Sequence, residues 1–428
     1  MLAKTSTLVA FLAIGIPPSA LRAREPQKSP PTRSPVENKA VRARDLGIPF
    51  DGIPGRFNAI TDVAGVEVGY STLISGEGKL IVGEGPVRTG VTAIIPRGHD
   101  SLNDPVYAGV FSLNGNGEMT GTAWIEESGF LEGPIVITNT HSVGVARDAV
   151  IAWRVKHGAA DNTGYWWSLP VVAETWDGWL NDVNGFHVKP EHVFHALDSA
   201  HSNAIEEGSI GGGTGMICYE FKGGNGTASR KITVAGVADP GSEKKSREFT
   251  LGVFVQANFG RRPLLTIAGV PVGKEIPGSV YKEETGSCIA VVATDAPLLP
   301  NQLKRLARRV SIGLARTGTI SGNGSGDLFI AFSTANPNVA AADQITHSVQ
   351  TLPNDLMDPI FNGVVQATEE AVVNALVDQN GAAAPSRVWE VNKATGHRFY
   401  IGADNHRVEA LPHDRLRELL KKYNRLQK

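Results

Sequence analysis

A glycine stands directly before a serine at Gly286-Ser287, and the serine opens the apolar run Cys288-Ile289-Ala290-Val291-Val292-Ala293-Thr294. That order suits a chain that cuts itself. The Ser287 hydroxyl would attack the carbonyl preceding it, and a glycine at 286 tolerates a strained backbone that exposes that carbonyl. Cleavage would leave Ser287 as a new N-terminus at the head of a buried strand. Its hydroxyl is then a nucleophile. Its freed α-amine, with an ordinary pKa of about 7.7–8.0, can act as the base in place of a histidine. A Gly-Ser pair before a strand also fits a plain turn, so the other polar clusters decide its meaning.

Three clusters could serve such a nucleophile. In Ser321-Gly322-Asn323-Gly324-Ser325-Gly326-Asp327 a hydroxyl and a carboxylate stand two residues apart on a glycine-rich turn. Ser325 and Asp327 could orient the hydroxyl and tune the amine, although the same composition fits an ordinary loop. Asn323 stands where a G-x-S-x-G nucleophile elbow needs glycine. Asn258 closes the run Val255-Gln256-Ala257; an amide at a strand end can donate to a developing oxyanion or merely cap the next turn. Glu174-Thr175-Trp176-Asp177 sets an acid beside an indole, which suits a substrate ammonium and equally suits a surface turn. The run Gly211-Gly212-Gly213-Thr214-Gly215 matches no phosphate-loop pattern. The histidines show no metal-ligand spacing. Asn225-Gly226-Thr227 and Asn323-Gly324-Ser325 match the glycosylation sequence.

These residues need elements to hold them. Short apolar stretches at 63–70, 90–95, 106–113, 135–138, 166–174, 231–238, 249–258, 287–294 and 328–332 predict strands. Helices are expected over 143–156, 192–201 and 301–317, the last with Leu303, Leu306, Val310 and Leu314 at helical spacing. A long helix is expected over 357–377 with Pro359 in its first turn, and a last one capped by Asp414. The segments 211–215 and 222–226 form a glycine-dense section with no strand assigned to it.

The chain has 428 residues, 41% hydrophobic and 20% charged, with a formal net charge of -2. That balance gives no basic stripe and no expectation of nucleic-acid binding. Cys218 and Cys288 are the only cysteines, which excludes a disulfide framework. Residues 1–23 read as a secretory signal peptide: Lys4, then an apolar run from Leu8 to Ile16, then Pro17-Pro18 and small residues. The apolar run is too short to span a bilayer. Residues 24–40 read as a disordered, proline-rich leader, and 41–428 as a single domain. Export to the periplasm or the medium is the expectation.

Taken together, several ordered segments resemble the DmpA/BapA family of self-processing aminopeptidases, peptidase family S58, a group of L-aminopeptidase/D-alanyl-esterase-amidases and β-peptidyl aminopeptidases. They are Arg42-Ala43-Arg44-Asp45-Leu46-Gly47, Thr61-Asp62-Val63-Ala64-Gly65-Val66, Arg88-Thr89-Gly90-Val91-Thr92, Thr138-Asn139-Thr140-His141-Ser142, Gly211-Gly212-Gly213-Thr214-Gly215-Met216 and Thr285-Gly286-Ser287. The resemblance implies an αββα sandwich, similar to Ntn hydrolases but with its own connectivity. It implies autocleavage between Gly286 and Ser287 into α (24–286) and β (287–428) parts, and a homotetramer of such heterodimers. It makes Ser287 the nucleophile, with Ser325 and Asp327 supporting it and Asn258 in the oxyanion hole. Glu174, with Trp176 beside it, would receive the substrate amine. Asp327 departs from the Glu expected in β-peptide-cleaving members and shortens the reach by one methylene. The implied substrates are small peptides, amides or esters with a free N-terminal amine, and no metal or organic cofactor is implied. Glu118, Phe130 and Trp176 are candidates for the pocket wall.

Two other readings compete. An ornithine acetyltransferase-type enzyme has a similar fold and also self-cleaves, but uses threonine as its nucleophile. An inactive secreted binding protein with this fold would remain a single chain.

Overall fold

The computed structural model describes residues 41–158, 167–236, 245–281, 286–378 and 388–427. The expected signal peptide and leader, at 1–40, lie outside the described residues. So do residues 282–285, directly before the expected cut.

The first part of the chain runs through β1 (Glu67–Ser75), β2 (Val87–Ile95), β3 (Val106–Gly115), α1 (Thr122–Ser128), β4 (Phe130–Leu131), β5 (Ile135–Thr138), α2 (Val143–His157), β6 (Val171–Glu174) and α3 (Pro190–Asp198). Next come β7 (Ile217–Cys218), β8 (Phe221–Lys222), β9 (Gly224–Ala235), β10 (Ser246–Asn258), α4 (Val272–Glu275) and β11 (Gly286–Thr294). The last part holds α5 (Pro300–Arg316), β12 (Ser325–Ser333), α6 (Asp358–Val377), β13 (Trp389–Val391), β14 (Arg398–Ile401), β15 (Arg407–Glu409) and α7 (His413–Lys422).

Two sheets stack face to face. One has the order β1-β2-β5-β6 and the other β4-β3-β12-β11-β10-β9. Val68, Ile94, Ile137 and Ala173 of the first meet Phe254, Ile289, Val291 and Ile330 of the second in a buried layer between them. Ala146, Val150 and Trp153 of α2 and Val193 and Leu197 of α3 cover the outer face of the first sheet. Leu303, Leu306, Val310 and Leu314 of α5, with Val364, Ala371 and Val372 of α6, cover the outer face of the second. The result is the four-layer αββα sandwich. It follows from period-two burial in the strands and one apolar stripe on each helix.

Pro300 and Pro359 stand in the first turns of α5 and α6, where a missing N–H costs nothing. Two expectations change, and one sequence match finds its structural setting. The strand expected from 231 begins earlier, inside the glycine-dense section: β9 starts at Gly224, α6 lies directly on it, and a Cβ at Gly226 would collide with the Ala371 carbonyl. Asp414 is not the cap of α7. Pro412 holds that position, and Asp414 sits in the first turn, where its charge still favours the helix dipole. The Asn225 sequon is closed off in the folded chain, since the buried amide donates to Thr92 Oγ1 at 3.1 Å and to the Ile210 carbonyl at 2.8 Å. Cys218 and Cys288 are free and buried.

Candidate active site

Ser287 enters the site by strand register. β11 lies between β12, which is parallel to it, and β10, which is antiparallel. Ser287 therefore stands opposite Gly326 on one side and Asn258 on the other. Ile289, Val291 and Ala293 face the layer between the sheets, while Cys288, Ala290 and Val292 face α5 and α6. The period of two turns Ser287, and Asn258 across from it, toward the inter-sheet side. Gly286 is required for a different reason from the one its sequence suggests. Its backbone is not left-handed; a Cβ there would run into the Asn258 carbonyl.

At this end of the sandwich lies a cavity of ≈ 340 Å³ lined by Asn116, Thr140, Glu174, Trp176, Gly286, Ser287 and Gly324. Glu174, the last residue of β6, is 3% exposed. Its Oε1 accepts the Glu118 N–H at 3.0 Å and its Oε2 accepts the Thr140 hydroxyl. Among the described residues no Lys or Arg forms an ion pair with it. Burial pushes its carboxyl above the usual range, against the pull of the Thr140 and Glu118 hydrogen bonds.

Asn258 is fixed on both ends of its amide. Oδ1 accepts the Ile217 N–H at 2.7 Å and Nδ2 donates to the Trp176 carbonyl at 2.7 Å. An amide nitrogen carries two hydrogens, so the bond to Trp176 uses only one.

Ser325 and Asp327 stand elsewhere. In the parallel pair, Cys288 is level with Asp327 and Gly286 with Ser325, so both side chains fall on the α-helical side, away from the Ser287 hydroxyl. Ser325 Oγ donates to Asp327 Oδ1 at 2.8 Å, the Ser321 hydroxyl donates to Oδ2, and the Cys288 N–H also reaches the carboxylate. Burial raises the Asp327 carboxyl. The pair thus approaches the main chain at the head of β11. Asn114 and Asn116 pin the turn that carries it, donating to the carbonyls of Gly322 at 2.8 Å and Gly324 at 3.0 Å.

The candidate pocket wall needs two changes. Phe130 pairs with Tyr107, Tyr107 with Ser333 and Ser333 with Thr294, which puts Phe130 at the far end of the sheet from Ser287. Glu118 gives the site its N–H, and the residue also lines a neighbouring cavity of ≈ 670 Å³. Thr140 and Ser321 hold the two acids, and the sequence reading gave neither a role. Both stand inside segments quoted above, but a hydroxyl there is ordinary until the acid beside it is placed. Cys288 is a core residue whose thiol burial pushes far up.

A two-sheet sandwich flanked by helices, with a serine at the head of a central strand, is a fold of the Ntn-hydrolase type. The profile of peptidase family S58 matches residues 58–387, and the chain belongs to that family. It is 52% identical over 404 residues to the beta-peptidyl aminopeptidase BapA of Sphingosinicella microcystinivorans, covering 90% of this chain and 93% of that one. Among solved structures it resembles the L-aminopeptidase D-Ala-esterase/amidase of Ochrobactrum anthropi, a prototype of the serine aminopeptidases with a variant Ntn hydrolase fold. The TM-score is 0.78 at 47% identity, over 90% of this chain and 99% of that one. The Burkholderia sp. beta-aminopeptidase matches with a TM-score of 0.75 at 44% identity, over 89% of this chain and 99% of that one.

Proposed function

We propose that this S58 peptidase is a self-processing serine aminopeptidase that acts from Ser287 on small peptides, amides and esters with a free N-terminal amine, β-amino-acid residues among them. The carrying observation is the shared cavity: Ser287 and the uncompensated acid Glu174 line the same space. An acid there confines attack to the first linkage after an ammonium, which is the definition of an aminopeptidase.

Maturation comes first. Ser287 Oγ bonds to the Gly286 carbonyl carbon as the Gly286–Ser287 C–N bond breaks, and the hydroxyl proton passes to the departing nitrogen. Water then opens the ester, leaving a Gly286 carboxylate and a free Ser287 amine and hydroxyl. The products are an α part (24–286) and a β part (287–428) of one catalytic domain. In turnover the substrate ammonium sits at Glu174 beside Trp176. Ser287 Oγ attacks the adjacent carbonyl and its proton goes to the Ser287 amine. The second Asn258 N–H meets the oxyanion; one such donor contributes about 10²–10³ in kcat. Because Ser325 and Asp327 approach the backbone side of β11, they act on the amine of Ser287, holding it near the hydroxyl. Water releases the acyl group.

Residues 1–23 export the chain to the periplasm or medium, and the mature form is a homotetramer of αβ heterodimers. The 52%-identical relative carries the name beta-peptidyl aminopeptidase, which supports β-residue substrates.

Intact mass and N-terminal sequencing of the purified protein test this reading. Two parts, one beginning Ser287-Cys288-Ile289, are expected, and Ser287→Ala is expected to stay whole and inactive. A processed Ser287→Ala would refute the assignment. Rates on L-alanyl, D-alanyl and β-alanyl p-nitroanilides then rank the substrates.

A further inference from the structure

Lys222, in β8, is fully buried. Among the described residues no Asp or Glu forms an ion pair with it. Its Nζ donates instead to three main-chain carbonyls: Gly223 at 2.7 Å, Met216 at 2.9 Å and Gly213 at 3.4 Å. Three acceptors match the three hydrogens of an ammonium. The ammonium also lies over the Tyr400 ring of β14, 5.0 Å from its centre. Burial draws the Lys222 pKa well below its ordinary value, so the carbonyls and the ring must offset the cost of the charge. What this cation holds is the peptide group that holds Asn258.

The Met216 carbonyl is one end of a peptide group whose other end is the Ile217 N–H. Lys222 Nζ and the Gly223 N–H, each at 2.9 Å, engage both lone pairs of that carbonyl. The Ile217 N–H donates to Asn258 Oδ1 at 2.7 Å. At the far end of the Asn258 amide are the two Nδ2 hydrogens, and the Trp176 carbonyl takes one of them at 2.7 Å. Ammonium, peptide group and side-chain amide thus stand in series. The β7–β8 hairpin that carries them is set flush on β10. The Tyr219 N–H donates to the Phe259 carbonyl at 2.6 Å, and a Cβ at Gly223 would lie 2.5 Å from the Ala257 carbonyl. Ala257 and Phe259 flank Asn258.

We propose that Lys222 is a positioning residue for the oxyanion donor: through the Met216–Ile217 peptide group it fixes Asn258 and strengthens the second Nδ2 hydrogen as a donor to the forming oxyanion. This rests on the reading that Asn258 meets the oxyanion. A cation on a carbonyl oxygen favours the resonance form with a double C–N bond, which makes the N–H at the other end more positive. The same shift passes through Oδ1 to Nδ2, since hydrogen bonds in a chain polarise one another inside a protein. The gain falls where charge develops on the attacked carbonyl, in the transition state. Binding of the substrate ammonium at Glu174 takes no part in it.

The test reads kcat and KM per cut chain on an aminoacyl p-nitroanilide, together with the affinity of two probes. An aminoalkyl boronate bonds through boron to Ser287 Oγ, the hydroxyl proton passing to the Ser287 amine, and sets an oxygen where the oxyanion forms. The matching alkylamine fills only the place of the ammonium. Lys222→Met keeps much of the shape and removes the donor. It is expected to lower kcat and boronate affinity together by about 3- to 10-fold, a fraction of the worth of the Asn258 donor itself. KM and alkylamine affinity are expected to hold within about 2-fold, the pattern of an interaction made only in the transition state. Lys222→Gln keeps a neutral donor and is expected to fall between Lys222→Met and the wild type, which keeps the test decisive should Lys222→Met fail to fold or cut. In an Asn258→Ala background, itself slowed about 10²–10³-fold, Lys222→Met is expected to add no further loss. Wild-type kcat and boronate affinity in a folded Lys222 variant would overturn this inference alone. So would an equal loss with and without Asn258, or a loss of alkylamine affinity that parallels kcat. An Asn258→Ala protein that keeps the wild-type kcat would overturn the oxyanion reading with it.

Discussion

Glu370 and Glu174 are both carboxylates buried in the sandwich, and their surroundings are opposite. Glu370, in α6, accepts Arg44 at 2.7 and 2.8 Å, Arg230 at 2.7 Å and Asn58 at 2.6 Å. Burial alone would raise its carboxyl, but the two guanidiniums bring it below its ordinary range. Glu174 is as deep, yet its donors are a neutral N–H and a neutral hydroxyl. Its carboxyl stays raised; Glu118 repels its charge and His141 favours it weakly. Asp177 beside it is itself pushed up to about 7, chiefly by burial. The first acid has its counter-ions within the chain. The second faces a cavity with its charge uncompensated, and a buried charge of that kind calls for a cation from outside. The contrast separates an acid neutralised within the fold from one left open to a cation at the cavity.

The largest effect that sharpens this contrast is on stability. Glu370→Gln strands Arg44 and Arg230 and is expected to cost about 3–5 kcal/mol. A fall in denaturant midpoint measures it, with KM unchanged at equal folded fraction. Glu174→Gln is expected to do the reverse. Loss of a charge-assisted bond to the substrate ammonium, about 1.5–3 kcal/mol, corresponds to roughly 10- to 150-fold in kcat/KM, carried mainly by KM. Its denaturant midpoint should hold or rise, because a desolvated charge is gone. N-acetylated substrates should lose nothing further in this variant. A Glu174→Gln protein that melts early with its KM intact would break the comparison.

How far the sequence displayed this arrangement depended on periodicity. α5 and α6 were legible because their apolar residues recur at helical spacing, and β11 because it is β-branched and unbroken. α1 was not. It is a short helix bounded by Gly121 and Gly129 with Ile125 as its one buried residue, which leaves no periodic signal. The glycines at the start of β9 gave no strand signal because nothing in a sequence displays a helix lying on the strand. The residue types at Ser287, Asn258 and Glu174 suggested the chemistry proposed for them, and strand alternation turned Ser287 and Asn258 to one side. Ser325 and Asp327 were legible as a pair, but the side from which they reach β11 came only from its parallel register with β12. Thr140 carried no signal of its own, since a threonine hydroxyl in a turn is ordinary until an acid is found next to it.

Acid titration separates the two carboxylates in order. Glu370 has a lowered pKa in the folded chain. Its contribution to stability is present above the unfolded value of about 4.3 and is lost only as pH falls through the lower folded value. Glu174 has a raised pKa, so on the same descent it takes its proton first, above that value. KM for amine substrates is therefore expected to climb while circular dichroism is still unchanged. Coincident midpoints for the two signals would mean that binding is lost by unfolding.

Thr140→Val gives the smallest expected effect and probes the same acid most directly. The substitution keeps the shape and removes the hydroxyl that lowers the Glu174 pKa. With the Glu118 N–H as its remaining donor, the carboxylate should take its proton at a higher pH than in the wild type. The acid limb of the KM profile is then expected to shift toward neutral. On the alkaline side of that limb the cost should be only about 2- to 10-fold, the worth of one net hydrogen bond. Glu370 is untouched by this change, so the acid unfolding midpoint should stay where it was. A limb that moves without the midpoint assigns it to Glu174, and a limb that stays in place assigns it to another group.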